Sequence, residues 1–487
     1  MKTFIIFLGL FIAFVASAQK VLKADSVYLT GKVSNLDAAQ VNSINVIVND
    51  LSFGRPVQYP GKINKDGTYR LVFLKTGAQD ITLKFNDDQA ILLVKPGDHL
   101  RIDFDAKQFG KSLVFNGDEA AANKDLLVYN VERFADAELG YQGKRYGRYH
   151  RLDSSITVDY PDAYKRFLKD RYDRETVFLD RFIQKHQPNN FFADWATTDL
   201  KYEYLNNLMR YPLLHNQMSE TRIEASATYY DFVKEADVND VDGSISSHFT
   251  AYLYMYGRQF TLKNFATYFT IADKLRIYAQ QPPGFARDIM VSQHFCILID
   301  EGLMNKLTPY IDQYKAMIGQ PAIRDEIVKA YNDKLYRFNN YALSSNSRIN
   351  QLPKTEGADF FNKLVAKYPG KVIYVDFWAT WCSPCLEEMP SSKVLHNKLA
   401  NKGVVFVYLA VQSEEKLWKA TIANLGIEGE HFLLTKDEYN ELVEKFRLSA
   451  IPRYILVDKN GRVFDDNAKR PSDNMLKQDI EKLLAAK

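Results

Sequence analysis

"VDFWATWCSPCLEEMP", residues 375–390, runs an apolar stretch into two of the chain's three cysteines, Cys382 and Cys385, with two residues between them. Such a pair either holds something, a metal ion or a fold, or exchanges electrons with another protein. The rest of the chain narrows the choice. At 487 residues it is too long for one ordinary core, so two or three domains are expected. With 46% hydrophobic and 25% charged residues it has the balance of a folded protein. Its 63 basic residues face 60 acidic ones, which leaves no general case for nucleic acid as a partner.

The N-terminus sets the compartment. Lys2 is followed by the apolar "FIIFLGLFIAFV" (Phe4 to Val15), and then by the small residues Ala16, Ser17 and Ala18. This is the pattern of a signal peptide over residues 1–18, cleaved between Ala18 and Gln19. Twelve apolar residues reach only about 18 Å as a helix, short of a bilayer core. The chain therefore reads as exported to the periplasm and soluble. Three cysteines are too few for a disulfide-stapled scaffold.

Three textures follow, and together they predict a multidomain α+β protein. Over residues 19–116, runs such as "INVIVND", "TYRLVFL" and "HLRIDFD" alternate and are broken by turns. Asp66-Gly67 is a strong hairpin signal, and "KPGD" (Lys95 to Asp98) marks a second turn. This predicts an N-terminal antiparallel, sandwich-like β-domain. Over 117–349 the period lengthens, with Tyr164, Leu168, Tyr172, Leu179 and Phe182 recurring at three- to four-residue steps. An all-α middle domain of about eight helices is expected, punctuated at "PNNFF", "RYPLL" and "QPPGF". Over 350–487 strands and helices alternate and a hairpin turns at Asn460-Gly461, the pattern of an α/β domain.

Structural zinc needs four ligands, commonly from a second C-x-x-C or a C/H pair. The third cysteine, Cys296, lies 86 residues upstream of Cys382, and no histidine accompanies the pair. No metal and no cofactor are expected. Redox chemistry suits each neighbour better. A strand ending at Trp378 turns into a helix, placing Cys382 at or just before its N-terminus. There the macrodipole and free N–H groups stabilise a thiolate. Pro384 costs little in a first turn and stiffens it. Cys382 would attack a partner disulfide and Cys385 would resolve the mixed disulfide.

"VDFWATWCSPC" resembles the active-site stretch of the thioredoxin superfamily, and "WCSPCLEEMP" resembles the TlpA/ResA-like branch of exported thiol:disulfide oxidoreductases. The resemblance covers roughly residues 355–487 and includes "SAIPRYILVDKNGRVF". It implies a thioredoxin-fold C-terminal domain whose Ile451–Pro452 bond is cis, with Pro452 beside Cys382 and the Ile451 backbone pairing with a partner's. It also implies that Asp376 takes the proton of Cys385 and that Glu388 tunes the cysteines' acidity. Trp381, Ser383 and Pro384 would shape the client-facing surface, whereas Glu387 fills no family position and reads as solvated. One departure is "GADFFNKLVAKYPGK" (Gly357 to Lys371), which reads as a helix before the first strand, as in plain thioredoxin.

Other signals are bland. "GKRYGRYHR" (Gly143 to Arg151) reads as a solvated segment, "DVNDVDGS" (Asp237 to Ser244) as a loop lacking the EF-hand glutamate, and Cys296 as a core thiol. The leading expectation is a periplasmic reductase of protein disulfides. Its partners would be disulfide-bearing client proteins and a membrane electron donor of the thiol:disulfide interchange type. The first 349 residues would position partners or mediate a homodimer. The alternative is an envelope polypeptide-binding module with a regulatory redox domain.

Overall fold

The computed structural model describes residues 20–36, 43–139, 155–157, 160–261, 270–300, 304–352, 359–399 and 401–486. The predicted signal peptide and the "GKRYGRYHR" segment lie outside them. The chain divides into two compact units, Met1–Phe295 with Tyr310–Ile327, and Cys296–Pro309 with Val328–Lys487.

The first unit is built on eight strands: β1 (Ala24–Ser34), β2 (Ile44–Asn49), β3 (Pro56–Ile63), β4 (Thr68–Thr76), β5 (Gln79–Phe85), β6 (Asp88–Val94), β7 (His99–Asp105) and β8 (Val114–Gly117). They form one sheet in the order β6-β5-β2-β3-β4-β1-β7-β8. Period-two burial drives it: Val27, Leu29 and Val33 of β1 point inward with Ile44, Val46 and Val48 of β2. Strand β3 serves both halves, pairing with β2 over residues 56–61 and with β4 at Lys62 and Ile63. Residues of both halves close on a single core.

Asp66-Gly67 turns β3 into β4 as predicted; Gly67 has φ of 83° and Asp66 accepts from the Thr68 N–H and hydroxyl. The expected antiparallel domain is corrected at one pair, since β1 and β7 run parallel. A long crossover through β2 to β6 makes that direction possible.

The helices of this unit include α1 (Ala120–Ala135), α2 (Pro161–His186), α3 (Asn190–Met218), α4 (Ser247–Tyr256), α5 (Ile271–Ala279), the first part of α6 (Phe285–Asp300), α7 (Ile311–Met317) and the first part of α8 (Pro321–Asn339). In α2 the apolar face holds Tyr164, Leu168, Leu179 and Phe182, with Phe178. Arg171 and Glu175 are buried there too, because Arg171 pairs with Glu175 at 3.1 Å and with Glu203 of α3 at 3.0 Å, and Arg133 of α1 closes the network. The "RYPLL" stretch does not break the chain: α3 continues through Pro212. Proline there strands the Leu208 carbonyl, and the Tyr229 hydroxyl donates to it at 2.9 Å.

Sheet and helices share one unit rather than meeting at a 116/117 boundary. Leu93 of β6 packs with Leu126, Tyr129 and Phe182. Trp195 of α3 donates to Asp80 of β5 at 3.1 Å. Strand β6 is an edge, and Asn123 of α1 covers it by imitating a strand: its side chain accepts from the Leu93 N–H and donates to the Leu93 carbonyl, both at 2.9 Å.

The C-terminal domain of the second unit alternates β9 (Ser347–Asn350), α9 (Phe360–Ala366), β10 (Val372–Trp378), α10 (Ser383–Leu399), β11 (Val404–Ala410), α11 (Glu415–Leu425), β12 (Gly429–Leu433), α12 (Lys436–Phe446), β13 (Arg453–Val457), β14 (Val463–Asp465) and α13 (Asn474–Ala485). Its sheet order is β14-β13-β10-β11-β12-β9. Strands β9 to β12 run parallel, and β13 and β14 close it antiparallel. Every residue of β10 is buried, as a strand at the heart of a covered sheet must be. The predicted helix before it is α9, capped by the Asp359 carboxylate on the Asn362 N–H. Strands β9 and β12 were not foreseen, and the sheet reaches back to Ser347.

Asn123→Ala would leave the buried Leu93 N–H and carbonyl without partners. It should destabilise the first unit by about 2–4 kcal/mol, read as a lower urea midpoint at unchanged m-value.

Candidate active site

Strand β10 delivers the chain into the turn 379–381, and residues 411–413, just past the end of β11, pin that turn. The Trp378 carbonyl accepts from Val411 N–H at 2.9 Å, the Thr380 N–H donates to Ser413 Oγ at 3.1 Å, and Trp381 Nε1 donates to the Gln412 carbonyl at 3.0 Å. Gln412 takes a left-handed φ of 46° to present that carbonyl. Cys382 follows with its N–H on the Ala379 carbonyl, and α10 starts at the next residue. Pro384 occupies the first turn, where a missing N–H is harmless.

Cys382 and Cys385 form a disulfide with Cα atoms 5.3 Å apart. The Cys385 N–H donates to Cys382 Sγ at 3.3 Å, a first-turn donor aimed at the sulfur that would carry negative charge after reduction. Both cysteines are buried, at 4% and 1% exposure, while Trp381 is 44% exposed beside them. Pro384 and Glu387 are exposed, and Ser383 opens the helix.

The Ile451–Pro452 bond is cis. The last register pair of β10 with β13 is Phe377↔Arg453, so Pro452 stands where β10 leaves the sheet for the dithiol turn. Ile451 packs against the core that contains both cysteines.

Asp376 is 1% exposed, and neither of its carboxylate oxygens has a hydrogen-bond partner. Its cross-strand neighbours are Tyr408 on β11 and Tyr454 on β13, and Tyr374 lies two residues before it on the same face. Helix α10 covers this face, since Ser392 meets the Tyr408 hydroxyl at 2.8 Å. Burial, and after it the negative charge of Glu388, holds the Asp376 carboxyl far above the usual carboxylate range. Burial likewise raises the Tyr374, Tyr408 and Tyr454 hydroxyls, with Asp376 adding to each.

Glu388, one turn after Cys385, is nearly buried. Its carboxylate accepts from the Ser472 N–H at 3.0 Å and the Ser472 hydroxyl at 2.9 Å, and Arg470 Nη1 stands 4.0 Å away. Sequence reasoning missed Ser472 and the three tyrosines. Ser472 lies 84 residues from Glu388 with no motif around it. The tyrosines were findable in part, because "YVD" at 374–376 puts Tyr374 and Asp376 on one face of a strand. Cys296 lies buried on α6, away from the dithiol in sequence and element. Among the described residues no group of three or more His, Cys, Asp or Glu is placed to hold a metal ion.

A parallel sheet closed by an antiparallel pair, a C-x-x-C disulfide at a helix N-terminus and a cis-proline at the adjoining strand define a thioredoxin-fold dithiol domain. Residues 350–484 match the Redoxin family profile. The chain is 26% identical over 116 residues to the thiol-disulfide oxidoreductase ResA of Bacillus thuringiensis subsp. konkukian, covering 24% of this chain and 65% of that protein. Against ResA of Geobacillus kaustophilus the figures are 31% over 120 residues, 25% and 65%. The solution structure of a putative thiol-disulfide oxidoreductase from Bacteroides vulgatus is 34% identical over 25% of this chain and 78% of that one, with a TM-score of 0.23. The chain thus spans 65% of the length of these curated relatives. Residues 350–484 thus carry a Redoxin-type domain that is similar to the TlpA/ResA-like thiol-disulfide oxidoreductases.

A carboxyl whose folded pKa lies above its unfolded one, about 3.8 here, binds its proton better in the fold. That stabilisation is complete below pH 3.8 and is lost as pH rises toward the folded value. Asp376→Asn should therefore gain stability relative to the unaltered protein as pH climbs from about 4. The gain approaches about 1.4 kcal/mol per pH unit and is read from chemical denaturation at pH 4, 6 and 8.

Proposed function

We propose that this chain is an exported, periplasmic thiol:disulfide oxidoreductase that reduces protein disulfides through Cys382 and Cys385. The observation that carries the reading is the dithiol at the N-terminus of α10, with a buried carboxyl that has no hydrogen-bond partner on the strand leading into it. In the reduced protein Cys382 attacks as a thiolate, favoured by the Cys385 N–H and the helix dipole. Its sulfur bonds one client sulfur and the other client sulfur leaves as a thiolate. The minor ionised form of Asp376 then takes the proton of Cys385, and the sulfur of Cys385 attacks that of Cys382. The enzyme disulfide closes, the second client thiolate departs, and two electrons have passed to the client.

The disulfide seen here is the end of that sequence, in which Asp376 holds the proton; burial and Glu388 favour the protonated form. Trp381 and Pro384 are exposed beside the dithiol and suit a client-facing surface, to which the backbone of Ser383 and of Ile451, before the cis-proline, would add. Reduction in an oxidising compartment needs replacement electrons, hence a membrane donor of the thiol:disulfide interchange type. Pro384 between the cysteines and an acid at 376 favour a reductant over an oxidant. Residues 19–349 position clients.

A second reading, a polypeptide-binding module with a regulatory redox domain, draws on a cavity of ≈950 Å³ in the first unit. It is lined by Lys20, Lys95, Phe191, Asp194, Thr197 and Ser244, a mixed charged, hydroxyl and aromatic wall.

The full chain bearing Cys385→Ser should accumulate a mixed disulfide with insulin, whereas Cys382→Ser should not. The dithiol should equilibrate with dithiothreitol near a potential of about −270 mV. A value near about −120 mV would reverse the direction, and loss of insulin reduction with retained peptide binding would favour the second reading.

A further inference from the structure

One short segment after β14, Ala468 to Ser472, is laced to the groups around Asp376. The Ala468 N–H donates to the Tyr454 carbonyl at 3.0 Å, and the Lys469 carbonyl accepts from the Tyr374 hydroxyl at 2.7 Å. Ser472 donates to both carboxylate oxygens of Glu388. Asp376 is faced by Tyr374 from its own strand, Tyr408 from β11, Tyr454 from β13 and Glu388 from α10; Glu388 is faced by Ser472 and Arg470. The grip on Glu388 is separate from capping of α13, which Asp473 performs on the Met475 N–H at 2.8 Å. Arg470 at 4.0 Å, on a side chain more than half exposed, is too distant to fix the carboxylate by itself.

We propose that Ser472 is a positioning residue: by gripping both oxygens of Glu388 it keeps that charge beside Asp376, so that the proton taken from Cys385 stays on Asp376. The inference rests on the reductase reading given above and adds a residue to it. A hydroxyl and an N–H from one residue meet the carboxylate in two-point geometry, which fixes its orientation as a single contact would not. Without the hydroxyl only the Ser472 N–H holds one oxygen, and Glu388 can turn toward the solvent beside Arg470. Its negative charge then acts on Asp376 through a longer and wetter path, and the carboxyl that receives the Cys385 proton holds it less firmly. Nothing is oxidised or reduced in this step; one proton is held at one of two carboxyls.

The test uses the full oxidised chain. The infrared carbonyl band of protonated Asp376, assigned by its loss in Asp376→Asn, is followed against pH. Ser472→Ala should lower the midpoint of that band by roughly one pH unit. Ser472→Thr, which keeps the hydroxyl, should restore it. Glu388→Gln, which removes the charge and keeps the shape, should lower it at least as far. A midpoint unmoved in folded Ser472→Ala overturns the proposal. If Ser472→Ala does not fold, an unmoved midpoint in Glu388→Gln overturns it. Insulin reduction by the unaltered protein is assayed alongside: its absence together with a shifted midpoint removes the reductase reading and supports the role of Ser472, and its presence with an unmoved midpoint does the reverse.

Discussion

An ionised carboxylate moved out of water without hydrogen bonds costs several kcal/mol, so a protein that buries one must satisfy it, neutralise it or give it up. Asp376 is buried at the centre of β10 with neither oxygen satisfied, and the fold neutralises it. Much of the C-terminal domain follows from tolerating that group. Strands β11 and β13 bring tyrosines directly opposite it, and α10 roofs the same face, so water is excluded and the proton is retained. The nearby Glu388 makes loss of the proton harder still, because two adjacent negative charges in a dry site repel.

Three contacts that hold the dithiol turn each have a backbone group on at least one side. The turn between β10 and α10 is fixed by Val411, Gln412 and Ser413, and the sulfur of Cys382 faces an N–H of its own helix. Such an arrangement needs few specific side chains and loses little entropy on reaction, since the donors are already oriented. The consequence in the proposed cycle is a division of labour. The helix terminus favours the thiolate of Cys382, and the buried carboxyl, whenever it is ionised, is the acceptor proposed for the proton of Cys385.

The first unit uses buried polarity for a different end. The Arg133, Arg171, Glu175 and Glu203 network ties three helices in one register, and Asn123 covers the free edge of β6. Both devices restrict how sheet and helices meet, and an unmatched group in either would be costly. That is why segments of different texture in the sequence make one compact unit.

The local record was legible. Alternation named most strands of the sheets, Asp66-Gly67 and Asn460-Gly461 named their turns, and three- to four-residue periodicity named α2. The spacing of Cys382, Pro384 and Cys385 pointed to a helix-terminal dithiol, because these features act within a few residues of one another. Strand β12 escaped because its Gly429, Glu430 and His431 are polar or permissive. They form a strand only because Arg348, Asn350 and Tyr368 satisfy Glu430 from elsewhere. "RYPLL" reads as punctuation in the sequence yet stays helical, because the hydroxyl that rescues Leu208 comes from Tyr229. The parallel β1–β7 pair, the shared core of sheet and helices, and the grip of Ser472 on Glu388 were likewise set by tertiary structure. By itself the sequence determined where strands, turns and a reactive pair stand, since those obey short-range sterics and periodicity. Which buried charges find partners depends on residues distant in the chain, Arg171 with Glu203, 32 positions away, and Glu388 with Ser472, 84 positions away, and only the folded chain brings them together.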